Sequence, residues 1–179
     1  MLQANGIDQT RGLQFEIWCE RLFRHIAFRG YADIRRNVHY HKNGAYRQVD
    51  LEYFNLFSLD EHFVILEMKY VSNGYLNLDF RNGEKKKKND QIMPIDNIVQ
   101  ELEERRRFVG ADTAIMVTNG KGSNALLEEA LKYDMKVYEK EHLRNFDKIR
   151  RLGFQKNLNK QIRAINCDKY DNTPTNVYL

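Results

Sequence analysis

Two carboxylates and one ammonium, carried on two short apolar stretches, are the residues of this chain best placed to do chemistry. The first stretch is Gln48-Val49-Asp50-Leu51-Glu52, and the second is Phe63-Val64-Ile65-Leu66-Glu67-Met68-Lys69. Both read as β-strands, the first by alternation and the second by its apolar run. Side chains along a strand repeat every two residues, so Glu67 and Lys69 share one side, about 7 Å apart. If the two strands pair as a hairpin, Asp50 lies beside Glu67. Paired carboxylates supply oxygen ligands for a hard divalent cation. A neighbouring ammonium, Lys69, can orient or activate an attacking water. Alternating Glu and Lys also describe the solvated face of an ordinary strand. The apolar neighbours favour the functional reading, because an unpaired charge among them is costly. Glu52 is a second acid on the Asp50 side and can compete with Asp50 or assist it.

Positioning such a pair takes a layer of helices. Phe15, Trp18, Cys19, Leu22, Phe23 and Ile26 fall on one helical face, with Gly30 as a natural stop. Glu16 lies at the margin of that face, able to look into a cleft, whereas Glu20 lies farther round toward solvent. A second helix is expected over about Ile92 to Val109, with Pro94 in its first turn and Ile95, Ile98, Val99, Leu102 and Phe108 facing the core. Gln100 or Glu101 can reach the site from that helix. Arg105-Arg106-Arg107, with Glu101, Glu103 and Glu104 nearby, reads as a salt-bridged exterior. Asp112 to Asn119 forms a buried strand, Ser123 caps a helix from Asn124 to Tyr133, Met135 to Tyr138 is another strand, and His142-Leu143 opens a last helix. After about Gln155, Asn, Lys and Asp dominate, and a loosely ordered tail is expected.

Asp50…Glu67-Met68-Lys69 resembles the signature of the PD-(D/E)xK nucleases. Gly12-Leu13-Gln14-Phe15-Glu16, then a helix and Gly30-Tyr31, resembles the opening of the Mrr-type catalytic domain, and Val117-Thr118-Asn119-Gly120 followed by the Glu128-Glu129-Ala130 helix extends the likeness to about Leu143. The resemblance implies an α/β, restriction endonuclease-like core over 1–154, a central mixed sheet flanked by helices in αβββαβαβ order, with 155–179 as a polar, basic tail. It implies a Mg²⁺- or Mn²⁺-dependent DNA endonuclease with Asp50, Glu67 and the Met68 carbonyl on the metal. Glu16 becomes the third acid, holding a second metal or a metal-bound water, Lys69 the residue that positions or activates water, and the products a 5′-phosphate and a 3′-hydroxyl. Val49 replaces the family's proline, which is harmless because proline is not a ligand. Glu67 stands where Mrr-type domains often carry Gln, a change that favours direct metal binding. The core consumes almost the whole chain, which points away from a site-specific restriction enzyme. A structure-selective enzyme like the archaeal Holliday junction resolvases, or a free-standing Mrr-like nuclease, fits better. Cutting both strands would take a homodimer. The rival expectation is a non-catalytic nucleic-acid-binding protein on a nuclease scaffold.

Composition bounds these readings. A chain of 179 residues allows one domain, and 42% hydrophobic content is enough to bury a core. No apolar run approaches the length of a membrane span, and no basic-then-apolar leader precedes the first helix, so an intracellular, cytoplasmic setting is expected. Cys19 and Cys167 are unrelated thiols without metal-ligand spacing. The net charge of +4 is unevenly spread: Arg81 with Lys85, Lys86, Lys87 and Lys88 forms one cluster, and Arg144 to Arg163, including Lys148, Arg150 and Arg151, a second. Both suit DNA phosphates, although a solvated surface explains either one alone. His39 and His41 flank Tyr40 without the companions of a His-metal nuclease, so they read as strand or cleft residues, His39 within reach of phosphate. Phosphate-cradling glycine loops are missing, which excludes a nucleotide-driven motor.

Overall fold

The computed structural model describes residues 2–27, 31–55, 62–79, 97–150 and 158–179. The chain runs α1 (Leu2–Ala27), β1 (Tyr31–Lys42), β2 (Ala45–Asn55), β3 (Phe63–Lys69), β4 (Tyr75–Leu76), α2 (Ile98–Val109), β5 (Thr113–Thr118), β6 (Lys121–Gly122), α3 (Asn124–Lys132), β7 (Lys136–Tyr138), α4 (Lys140–Arg150), α5 (Leu158–Arg163), a 3₁₀ turn (Cys167–Lys169) and β8 (Thr175–Tyr178). Six strands form one mixed sheet in the order β7-β5-β3-β2-β1-β8, and β4 pairs with β6 separately. β1, β2 and β3 are an antiparallel meander, while β5, β7 and β8 join in parallel. The β1–β2 hairpin turns through Asn43 and Gly44, both at positive φ, the combination that matches the twist of the flanking strands.

Helices cover both faces of the sheet. On one face Phe15, Trp18, Cys19 and Leu22 of α1, Leu143 of α4, and Leu158 and Ile162 of α5 pack on Leu51, Tyr53, Val64, Leu66, Met68, Ile115 and Val117. On the other, Ile98, Val99 and Leu102 of α2 and Leu126 and Ala130 of α3 pack on Val38, Tyr40, Val49, Ile65, Ala114 and Met116. α2 starts at Asn97, whose Oδ1 accepts the Val99 and Gln100 N–H groups at 3.1 and 3.0 Å. The helix expected from about Ile92 is thus described from Ile98, and 92–96 lie outside the described residues.

The C-terminal segment departs from the expected loose tail. Leu158, Ile162 and Ile165 enter the α1-side core, Gln14 Nε2 donates to the Ile165 carbonyl at 2.8 Å, and β8 pairs with Val38–His41. Leu158 and Ile162 stand four apart, one helical turn, which buries both among Asn and Lys neighbours. Among the described residues no helix is long and apolar enough to cross a membrane.

Candidate active site

Strand alternation fixes where the catalytic candidates point. Val64, Leu66 and Met68 face α1 and Ile65 faces α2, so Glu67 and Lys69 lie on the α2 side of β3. Lys69 Nζ lies 2.6 Å from Glu67 Oε1, and Arg105 Nη1 of α2 pairs with Glu67 Oε2. The Glu67 carboxylate is therefore buried between two cations.

Asp50 marks the place where the sheet changes character. Regular β2–β3 pairing runs from Phe54↔Phe63 to Leu51↔Leu66; the same register would next oppose Asp50 to Glu67. There the Asp50 side chain takes over from the ladder, its Oδ2 accepting the Met68 N–H at 2.8 Å. On the other side of β2, the flanking pairs Arg36↔Leu51 and Val38↔Val49 leave Asn37 opposite Asp50. Asn37 has φ 54°, in the left-handed region. Leu51 and Ile34 face the α1 core, whereas Val49 and Val38 face the α2 core, so alternation reverses on both strands at this row. The reversal sets Asp50 at the seam between the two faces.

From that seam Asp50 influences both helices. On α1, Glu16 is pushed up to about 8, first by burial and then by the negative charge of Asp50, with Arg36 and Lys69 acting in the opposite sense. The buried Cys19 thiol is raised by its burial and by Glu16 and Asp50. On α2, burial lowers Arg105 from its ordinary value and the Asp50 carboxylate opposes that shift. Asp50 thus acts on Glu16 of one helix and on Arg105 of the other.

The donor set suits a small hard cation. Mg²⁺ commonly takes one or two protein carboxylates and completes its octahedron with waters and substrate phosphate oxygens. Asp50, bonded to the Met68 N–H, Glu67 on the neighbouring strand and the Met68 carbonyl are oxygen donors of the kind such an ion takes. Among the described residues no three His, Cys, Asp or Glu side chains form a ready metal-binding group, so Glu16 is not preassembled with the other two as a three-carboxylate cage.

Other candidates fall elsewhere. Glu52 is fully buried, accepting from Tyr40 Oη at 2.7 Å and lying 2.6 Å from Arg35 Nη2. Burial raises its carboxyl. Gln100 Nε2 donates to Glu129 at 3.1 Å, and His39 engages Asn37 and Tyr46. Arg106 and Arg107 do bind Glu103 along the helix, as a salt-bridged exterior should. Arg105 does not belong to that exterior: it turns inward to Glu67. Its signal was in the spacing, since Ile98, Leu102, Arg105 and Val109 recur at helical intervals and put the arginine on the core face. Arg81, Lys85, Lys86, Lys87, Lys88 and Arg151 lie outside the described residues, as do the side chains of Lys148 and Arg150.

No protein-family model matches the chain, and no curated protein matches it. Among solved structures it is similar to the protein of unknown function AF1548, with a TM-score of 0.51 and 16% identity over 74% of this chain and 65% of that one. A second similar structure is the MspJI restriction endonuclease in complex with a 27-mer oligonucleotide, with a TM-score of 0.42 and 16% identity over 91% of this chain and 33% of that one. At such identity the first likeness is one of fold, a mixed α/β architecture shared with AF1548.

Proposed function

We propose that the protein is a metal-dependent DNA endonuclease with a restriction endonuclease-like core. The observation that carries this reading is the Asp50 carboxylate bonded at 2.8 Å to the backbone of the strand segment that bears Glu67 and Lys69. Asp50, Glu67 and the Met68 carbonyl would hold Mg²⁺ or Mn²⁺. When bound, such an ion supplies Lewis acidity and a more acidic water. Lys69, beside Glu67, orients the attacking water and offsets the charge that builds on the phosphorus oxygens. Arg105 steadies the Glu67 carboxylate and adds a second positive charge where the scissile phosphate would lie. Glu16, whose carboxyl burial and the Asp50 charge push up to about 8 with no ion bound, would hold a second metal ion or a metal-bound water. In-line hydrolysis would leave a 5′-phosphate and a 3′-hydroxyl. Branched DNA is the proposed substrate class, after the structure-selective nucleases that the Asp50…Glu67-Met68-Lys69 pattern resembles, and a homodimer would cut two strands.

One observation favours the alternative of a non-catalytic nucleic-acid-binding protein: two cations already neutralise Glu67. Cleavage of labelled four-way junction, flap, duplex and single-stranded DNA in Mg²⁺, Mn²⁺ or EDTA separates the two. Cation-dependent cutting by the wild type, lost in Asp50→Ala and Glu67→Ala, is the expected result. Binding without cutting on every substrate would leave the alternative.

A further inference from the structure

One row of β1 beyond the Asp50 seam, the sheet presents an open face of rings and amides. Because alternation reverses at Asn37, His39 and His41 emerge opposite to the α2-packed Val38 and Tyr40. Register then builds two rows across three strands. Tyr178 of β8, His41 of β1 and Tyr46 of β2 stand side by side, and Asn176, His39 and Gln48 form the row nearer Asn37.

These side chains are mutually fixed. The His41 and Tyr178 rings stack at 4.9 Å with 19° between their planes, and Tyr46 lies 5.4 Å from His41 and edge-on to His39 at 5.0 Å. His41 Nε2 meets Asn176 Oδ1 at 3.0 Å, His39 Nε2 meets Asn37 Oδ1 at 3.0 Å, and Gln48 Nε2 donates to the same Asn37 oxygen at 3.2 Å. Despite this order, Tyr178 is 78% exposed and Tyr46 is 43% exposed. An exposed aromatic pair held in place by its neighbours loses little entropy on meeting a planar partner.

The chemistry of the face selects the partner. None of the six residues carries a negative charge, Lys42 stands exposed at its edge, and the chain is basic overall. Burial and the neighbouring His41 hold the His39 imidazole below its ordinary value. Planar rings on an open sheet offer π-faces to unpaired bases, and flanking amides offer donors and acceptors to base edges; a duplex keeps its base faces stacked inside. The face starts two residues along β1 from Asn37, which opposes Asp50 at the seam between the two sides of the sheet.

We infer that the Tyr178–His41–Tyr46 row and the Asn176–His39–Gln48 row form a stacking platform for unpaired bases of single-stranded DNA leading into the Asp50 site. The placement of that strand at a cutting site rests on the nuclease reading; the platform itself does not. The platform gives a reason for selecting branched or single-stranded DNA, because unpaired bases are what such substrates expose.

Fluorescence anisotropy with a short labelled oligothymidylate and a duplex of equal length, both in EDTA, tests it without cleavage. The wild type should prefer the single strand. Tyr178→Ala and Tyr46→Ala should each weaken single-strand binding about tenfold and leave duplex binding nearly unchanged, and Tyr178→Trp should retain it. Tyr178 is too exposed for its replacement to unfold the chain, and the Trp variant controls for it. Unchanged single-strand affinity in both alanine variants, or an equal loss for duplex, would overturn the platform. Cleavage read separately in Mg²⁺ keeps the two ideas apart: platform-dependent binding without cutting upholds the platform and defeats the nuclease, and cutting with platform-independent binding does the reverse.

Discussion

Glu16 is the residue whose environment makes the sharpest prediction. Its carboxyl has a folded-state value of about 8 against an ordinary 4.5, raised by burial and by Asp50. A raised folded value means that stability is full below about 4.5 and is lost as pH climbs through about 8. Glu16→Gln removes that loss. In EDTA its melting temperature should match the wild type near pH 5 and exceed it by roughly 5–10 °C near pH 8.5. A difference that does not change with pH would show that Glu16 is not the strained group. Arg105 makes the opposite kind of prediction, because it stabilises Glu67 while competing for its oxygen. Arg105→Met should cost about 3 kcal/mol of stability by chemical denaturation, since one partner of a buried pair is lost. It should also raise Mn²⁺ affinity several-fold by calorimetry; a fall would mean that Arg105 orients Glu67 as a ligand instead. Asp50, Glu67 and Lys69 were picked out as candidates by residue type, spacing and the resemblance of the segments around them. Arg105 was hidden by its place between Glu104 and Arg106, a run of charges that reads as surface unless the helical face is traced through it.

At the level of elements, the core face of α1, the meander and the strands β5 and β7 follow from their apolar patterns, although α1 starts at Leu2, ten residues before the Gly12 at which its signature opens. The fork at Asp50 does not. Val38 and Val49 look like ordinary members of an alternating pattern, and only the left-handed Asn37 reveals that the pattern reverses there. A polar composition likewise concealed α5, because two apolar residues one turn apart suffice when α1 supplies the rest of the core. Ile162 is fully buried in that core, so Ile162→Ala should cost about 2–5 kcal/mol in a denaturant titration. A cost near zero would restore the picture of an appended tail. The exits of β3 and β5 are joined more tightly still. Asn119 binds both backbone groups of Val71, at 2.6 and 3.0 Å, and a Cβ on Gly120 would stand 2.5 Å from the Gly74 carbonyl oxygen. Gly120→Ala should therefore lower stability by about 1–3 kcal/mol, with the effect read as a drop in denaturation midpoint.

For the whole molecule, the sheet holds the candidate site between two helical layers and leaves the β8–β1–β2 corner open. Glu16 comes from the α1 layer, Arg105 from the α2 layer, and Asp50 and Glu67 from the strands between them. Such a site depends on both cores at once, which is why Arg105 of α2 stands apart in sequence from the strand motif that it joins in space. The central claim is that Asp50 and Glu67 hold a catalytic divalent ion while Lys69 acts on the water without holding it. Mn²⁺ binding by calorimetry, run beside cleavage of the preferred DNA for Asp50→Asn, Glu67→Gln and Lys69→Ala, tests that claim most directly. The account predicts that all three variants lose cleavage, that the first two also lose Mn²⁺ binding, and that Lys69→Ala keeps it. Cleavage at the wild-type rate by Asp50→Asn or Lys69→Ala would contradict it.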